Sequence, residues 1–215
     1  MAVTTVLDLV KPGHTQSTGL VLTYGEHFVF ACGQQRYWRD GSIPIIGIGG
    51  KREPGETFAE AASREAREEA SITPVLMDSP WTWLFTEDEE PVKHRLEEVP
   101  APTYVWERPI TLGDGVPPTP YFCVVYQGAA DREPVPTGEI PALVYLSDEA
   151  VELMAVRGRL RQDQLVAAGG FVKSVKPLPI GADLVPQGSA EYFFKWHLVA
   201  GGTGGVPVSL YPFCR

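Results

Sequence analysis

Residues 50–72 read Gly50-Lys51-Arg52-Glu53-Pro54-Gly55-Glu56-Thr57-Phe58-Ala59-Glu60-Ala61-Ala62-Ser63-Arg64-Glu65-Ala66-Arg67-Glu68-Glu69-Ala70-Ser71-Ile72. The first third is a turn, rich in glycine and broken by proline. The rest is a helix. Thr57 is a good N-cap, and Glu60 three residues later completes a capping box. No glycine or proline interrupts residues 58–70, and the span holds Ala59, Ala61, Ala62, Ala66 and Ala70. At about 100° per residue, Glu65, Glu68 and Glu69 share an arc of ~100°. On an isolated helix each such like-charged pair costs roughly 0.2–0.5 kcal/mol. Ala59, Ala62, Ala66 and Ala70 fall on an adjacent arc, which predicts close packing of the helix on a sheet and leaves the acidic edge at a cleft.

Two readings of that acidic edge compete. A Glu-rich helix face is commonly just solvated, and Arg64 and Arg67 would soften the repulsion here. Alternatively, clustered carboxylates hold a hard dication, which prefers oxygen ligands and cancels the repulsion on binding. The spacing separates the two. Gly50, Glu56, Arg64, Glu65, Glu68, Glu69 and Ile72 stand in the order Gly, five residues, Glu, seven residues, Arg-Glu, two residues, Glu-Glu, two residues, apolar. With each residue type near ~6% of usage, the six fixed matches arise by chance in roughly one chain of this length in 10⁵. The chain therefore resembles the Nudix hydrolases, whose catalytic box has this pattern. Two positions depart from it. Ser71 stands where the family usually has Gly, at a helix end where glycine eases a left-handed cap, and Ala66 is small for its apolar position.

The resemblance implies a mixed α/β fold of the α+β type, a mixed β-sheet sandwiched between helices. It also implies hydrolysis of nucleoside diphosphates linked to another moiety, by water attack on phosphorus. Carried over by position, Glu68 and Glu69 would be the principal ligands of Mg²⁺ or Mn²⁺, with Glu65 a ligand or base and the Gly50 carbonyl a further ligand. Arg64 and Glu56 would orient the carboxylates. Glu139, just before an apolar run, sits where many relatives place another acid, and could serve as a second base or ligand. Lys51 and Arg52 are candidates for phosphate contact, although loop cations are usually only solvated. Trp38, Trp81, Trp83 and Trp106 are candidates for stacking on a base or leaving group, and equally for core packing. The alternative function is a catalytically silent nucleotide-binding or sensor module of the same fold. It predicts erosion of the metal carboxylates, and all three are present.

Outward from the box, residues 20–24 and 27–32 are β-branched and aromatic runs around Gly25-Glu26 and predict a hairpin. Residues 43–48, 72–77, 81–85, 104–110, 121–126 and 142–146 are predicted to be extended. Ser147-Asp148-Glu149 caps a predicted helix to about Val156, its acids at the positive end, and a short helix is expected over residues 163–168. Residues 86–103, acidic and broken by proline, are expected to form a loop insertion. The chain from Tyr192 onwards is apolar and then rich in glycine, a C-terminal extension without a clear element. One domain over residues 1–215 accommodates all of this.

Bulk properties narrow the function further. A net charge of -9 and a pI near 5.0 argue against stable nucleic-acid binding through phosphate neutralisation. A bound dication would supply the positive charge that a small nucleotide-type substrate needs. The 22 glycines and 20 prolines predict many turns and short strands rather than a helical bundle. Cys32, Cys123 and Cys214 are too few and scattered for a disulfide framework, and His14, His27, His94 and His197 lack zinc spacing. Cys32 and Cys123 lie in apolar runs and read as small core residues. With no basic, apolar leader in the first ten residues and no run long enough to span a bilayer, the expected location is the cytoplasm. Many relatives are dimers, so a homodimer is expected by analogy.

Overall fold

A computed structural model describes residues 3–87, 89–111 and 117–199. Its strands are β1 (Thr15–Tyr24), β2 (His27–Cys32), β3 (Ser42–Ile46), β4 (Val75–Met77), β5 (Thr82–Phe85), β6 (Val92–His94), β7 (Tyr104–Ile110), β8 (Thr119–Ala129), β9 (Ala142–Leu146), β10 (Leu160–Arg161), β11 (Phe171–Ser174) and β12 (Asp183–Pro186). The helices are α1 (Phe58–Ala70), α2 (Asp148–Arg157), α3 (Gln162–Ala167) and α4 (Ser189–Val199). The hairpin at Gly25-Glu26 forms as expected, with Leu22 opposite Val29 and Tyr24 opposite His27.

The strands belong to one mixed sheet that branches at β2. Its long path runs β10-β12-β3-β2-β1-β8-β7-β5-β6, while β9 pairs with both β2 and β11, and β4 pairs with β8. The central pair, β1 and β8, is parallel over Thr15–Thr23 against Tyr121–Ala129. Parallel central strands are covered on both faces, and the middle of β1 is accordingly buried without interruption.

Alternation along the strands sends side chains to two cores. Leu20, Leu22, Val29, Ala31, Phe122 and Val124 point to one face, where Phe58, Ala62, Ala66 and Ala70 of α1 cover them. Val21, Phe28, Phe30, Cys123 and Val125 point to the other, beneath Val151 and Met154 of α2 and Phe193 of α4. The sheet is thus sandwiched by helices, as the resemblance implies. Ala61 and Ala62 are fully buried, and Ala59 is only partly so. The buried stripe of α1 is therefore rotated slightly from the arc drawn through Ala59.

Two segments differ from their sequence reading. Residues 86–103 are no featureless loop: β6 pairs antiparallel with β5, Glu98 accepts a hydrogen bond from the Val6 amide at 3.0 Å, and the Glu97 amide donates to Thr4 at 2.7 Å. The stretch is tied to the N-terminal 3₁₀ turn Val6–Leu9. From Tyr192 the chain is helical up to Val199, with Tyr192, Phe193 and Phe194 buried against the sheet. The remainder of the C-terminal extension, with Cys214, lies outside the described residues.

Candidate active site

The loop before α1 is shaped by glycine. Gly49 has a φ of 154°, and a Cβ there would stand 2.2 Å from the Thr18 carbonyl oxygen. Only glycine fits so close an approach of two backbones. A Cβ on Gly50 would stand 2.3 Å from Glu65 Oε1, so the missing side chain makes room for that carboxylate. The Gly50 carbonyl accepts from the Thr18 amide at 2.9 Å, which fixes the loop to β1.

The start of α1 forms as its capping box predicts. Thr57 accepts from the Glu60 amide, and Glu60 accepts from the Thr57 amide at 2.8 Å. Its end is met by the loop before β9. The Val135 amide donates to the Ala70 carbonyl at 2.9 Å, the Thr137 amide to Glu69 at 3.2 Å, and the Thr137 hydroxyl to the Glu68 carbonyl. Carbonyls that the last helical turn leaves free are thus satisfied, and Glu139 is carried to the acidic face. Ser71 takes the left-handed conformation, φ 57° and ψ 28°, that the usual glycine would adopt at lower cost.

Arg64 is the hub of the acidic face. Its Nε donates to Glu56 Oε1 at 2.8 Å, and Nη1 reaches Glu65 Oε1 and Glu68 Oε2, each at 2.8 Å. Nη2 donates to Glu56 Oε2 at 3.2 Å and to the Lys51 carbonyl at 3.0 Å. One guanidinium therefore ties three acids and the box loop together. The hydrogen bond from Arg64 is the main influence holding the Glu56 carboxyl below its ordinary range. Glu65, with a side chain only 13% exposed, is pushed up by desolvation in spite of Arg64.

Glu69 has a different environment. It points away from Arg64 and accepts from the Gly49 amide at 3.0 Å. Desolvation, with Glu65, Glu139 and Glu68 close enough to repel, raises it to about 8, and the Gly49 amide only partly offsets this. Glu139 is itself exposed but lies within electrostatic reach of both Glu65 and Glu69. Because Arg64 holds Glu65 and Glu68 while Glu69 turns to Gly49, no three acids converge on one point among the described residues.

Lys51 is exposed beside this cluster. Arg52 is engaged elsewhere, donating to Gln16 Oε1 at 2.9 Å and to the Glu56 carbonyl, with its guanidinium 5.0 Å from the Phe58 ring centroid. Its contacts brace the loop against β1, a role the sequence could not suggest because Gln16 is distant in the chain.

A cleft of about 430 Å³ opens beside Glu69, Gly49 and Gly50. Trp106, Tyr121 and Cys123 line one side, and Gln34, Arg36 and Tyr37 another. Trp106 is the one tryptophan of the four candidates that lines the cleft among the described residues, and it stacks with Tyr121 at 5.3 Å and with Tyr192 at 5.1 Å. Trp38 instead donates to the Gly33 carbonyl at 2.8 Å, Trp83 lies under Lys93, and Trp81 is half exposed. Cys32 and Cys123 are buried, as expected, but they also floor the cleft. Sequence reasoning missed Tyr37, Tyr121, Gln187 and Ser189 as cleft residues. They come from three distant segments, and no local pattern marks them.

Fold and cleft together define an α+β protein that sets an acidic helix edge beside a cleft of mixed polar and aromatic lining. The chain belongs to the Nudix hydrolase family: the family model described as the NUDIX domain matches residues 13–168. Similar solved structures include a Nudix-family hydrolase from Clostridium perfringens at 18% identity, with 65% of this chain and 85% of that chain covered and a TM-score of 0.45. The E. coli dihydroneopterin triphosphate pyrophosphohydrolase is 19% identical over 66% and 86% of the two chains, with a TM-score of 0.40. A MutT Nudix hydrolase from Burkholderia pseudomallei is 18% identical over 62% and 83%, with a TM-score of 0.39. No curated protein matches the chain. No helix among the described residues is long and apolar enough to cross a membrane.

Proposed function

We propose that the chain is a divalent-metal-dependent hydrolase that cleaves the pyrophosphate bond of a nucleoside diphosphate linked to another moiety, with water attacking phosphorus. The observation that carries this reading is Glu69. Its desolvated carboxyl lines the cleft, raised to about 8 by burial and by the neighbouring acids Glu65, Glu139 and Glu68. Ionising that carboxyl without a partner is costly, and a dication at that point would remove the cost.

The donor set fits Mg²⁺ or Mn²⁺, being all carboxylate and carbonyl oxygen. The space that glycine leaves at position 50 for the Glu65 carboxylate supports the same fit. Glu68 and Glu69 would hold the ion, with Glu65 and the Gly50 carbonyl as further donors. When bound, the ion supplies positive charge to the phosphate oxygens and acidifies water. The chain's own residues do the rest. Arg64 holds Glu65 and Glu68 in place, and the Gly49 amide aims Glu69. Glu65 or Glu139 accepts the proton of the attacking water, and exposed Lys51 is available to phosphate. The same reading includes a cytoplasmic location and a homodimer.

The test is release of phosphate-containing products from nucleoside diphosphate sugars, dinucleotides and nucleoside triphosphates with Mg²⁺ or Mn²⁺. Glu68→Gln and Glu69→Gln are expected to abolish most turnover with circular dichroism unchanged. Turnover that survives excess chelator rejects the metal mechanism. Tight nucleotide binding with no turnover across the panel identifies a silent binding module instead.

A further inference from the structure

A second cavity, of about 280 Å³, shares no lining residue with the cleft. Three stretches of chain meet there over Tyr126 of β8: the 3₁₀ turn Val6–Leu9, residues 98–100, and the box loop from Arg52 into the first turn of α1. The 3₁₀ turn precedes residue 13, where the family match begins, so one wall is built from outside the matched domain. That wall is well seated. The Val6 amide donates to Glu98 Oε1 at 3.0 Å and the Glu97 amide to the Thr4 carbonyl at 2.7 Å. Val6 and Leu9 are buried in the same core as Phe58.

Leu7, Phe58, Val99 and Pro100 give this cavity apolar sides. Two polar groups among them are left wanting. Glu98 is half-buried, and desolvation raises its carboxyl; the Val6 amide offsets this only in part, Asp8 adds repulsion, and no cation contributes. Tyr126 is 2% exposed, and its hydroxyl has no hydrogen-bond partner among the described residues. It lies within electrostatic reach of Glu98. Arg52 is the one cation in the lining among the described residues, and it is committed to Gln16, the Glu56 carbonyl and the Phe58 ring. A carboxylate without a counter-ion and a hydroxyl without a partner suit a cation that carries several N–H donors. The apolar sides suit a hydrocarbon body behind it. A bare dication does not fit, since it needs six or more oxygens and the cavity offers few.

We propose that this cavity binds a small aliphatic primary amine as its ammonium ion, held by Glu98 and Tyr126, and that its occupancy is felt at the Arg64 cluster. The volume lies at the low end for ligand pockets, which restricts the body to a short chain. The route to the acidic face is direct. Arg52 and Glu56 both line the cavity, Arg52 donates to the Glu56 carbonyl, and the Glu56 carboxylate holds Arg64, which holds Glu65 and Glu68. A molecule that fills the cavity fixes the box loop against the 3₁₀ turn, so ammonium and dication favour each other's binding, by the same factor in both directions. The amine site stands without the hydrolase reading; its coupling rests on that reading for the dication at Glu68 and Glu69.

The experiment titrates the metal-free protein at pH 7 with n-pentylammonium, and with n-pentanol and pentanoate as neutral and anionic probes of the same body. Methyl NMR signals of Leu7 and Val99 report occupancy. Wild type is expected to bind n-pentylammonium saturably in the millimolar range, at least about fivefold more tightly than n-pentanol, with no saturation by pentanoate. Glu98→Gln, which can still accept from the Val6 amide, should bring n-pentylammonium down to the level of n-pentanol. Tyr126→Phe, which keeps the ring in the core, should weaken it about threefold. Calorimetric titration with Mg²⁺ should show a Kd about threefold tighter at saturating n-pentylammonium in wild type, and no such change in Glu98→Gln. Equal binding of the three probes, or undiminished n-pentylammonium binding in Glu98→Gln, overturns the site. Selective binding that leaves the Mg²⁺ Kd unchanged overturns the coupling. If Mg²⁺ fails to bind with or without n-pentylammonium while the selectivity and its loss in Glu98→Gln hold, the hydrolase reading fails and the amine site stands.

Discussion

Glu68 and Glu69 are neighbours in the chain, yet they sit in opposite electrostatic settings. Glu68 belongs with Glu56 and Glu65 to a cluster held by one guanidinium, and its side chain is 43% exposed. Glu69 has turned from that cluster into the cleft, where desolvation raises its carboxyl to about 8. The comparison separates two tasks that one acidic helix face performs. The Arg64 side is bound into one ion-paired cluster that fixes geometry, whereas Glu69 has no ion pair among the described residues. Helical geometry supplies the difference, since successive residues are turned by about 100° and only one of the two can face a given partner.

The strongest way to break this comparison is to neutralise each acid in turn. Glu69→Gln is expected to lower kcat/KM by at least about 10²-fold, the scale on which loss of a single preorganised electrostatic contact acts. It should also leave the metal-free protein as stable as wild type or more so, because it removes a carboxyl that folding must keep protonated at neutral pH. Glu56→Gln should behave in the reverse manner, with a smaller loss of activity and a measurable loss of stability. Equal effects in urea melts of the two variants would erase the distinction drawn here.

Arg64→Lys is the next largest. A lysine keeps the charge but cannot make the forked contacts to Glu56, Glu65 and Glu68 at once. Losing residues that orient a site typically costs roughly 10–100-fold. The expected result is a fall of that size in kcat, with a weaker apparent affinity for Mg²⁺ in a metal titration. An unchanged metal affinity would mean that the Arg64 network is only structural.

Much of this region was legible in sequence because it is local. Thr57, Glu60 and the uninterrupted run to Ala70 define a helix without reference to anything outside it, and the spacing from Gly50 to Glu69 carries the site on the same few turns. What was illegible depends on distance in the chain. Arg52 reads as a free loop cation until Gln16 is brought beside it. The aromatic α4 lacks amphipathic periodicity because Tyr192, Phe193 and Phe194 are consecutive and all buried, so its pattern does not separate core from surface. The cleft wall at Ser189 requires the close approach of Gly19 and Gly47, which are remote in sequence.

The pH dependence sharpens the comparison further, because Glu69 and Glu56 shift in opposite directions. Glu69 has a folded pKa of about 8 against an ordinary carboxylate value of 4.5. Between those values the folded chain retains a proton that the unfolded chain has released, so stability falls as pH rises through this window and levels off above about 8. Glu56 is lowered, so its contribution is present above the ordinary carboxylate range and is lost as pH falls through its depressed value. Thermal melts of the metal-free protein should therefore decline from pH 5 to pH 8, and Glu69→Gln should flatten that decline. Mg²⁺ must displace the Glu69 proton near pH 7, so calorimetry in buffers of different ionisation enthalpy should detect release of up to about one proton per chain. A melt profile that is flat in wild type would contradict the environment described for Glu69.

Ser71→Gly has the smallest expected effect, and it asks whether the Glu69 side depends on strain at the helix end. Ser71 occupies the left-handed region, where an L-residue with a side chain pays roughly 1–2 kcal/mol, partly offset by the greater chain entropy that glycine loses on folding. The substitution should therefore stabilise the protein by about 0.5–1 kcal/mol in urea melts. The bonds that tie this end of the helix down are made by backbone atoms: the Ser71 carbonyl accepts from Arg132 at 2.6 Å, and the Ile72 amide donates to Ala66 at 3.3 Å. Glycine keeps both, so Glu69 should stay where it is, and kcat/KM should remain within about twofold. A gain in stability joined to a large loss of activity would show that the strained serine holds the last turn in a position the chemistry needs, which would make the departure from glycine functional.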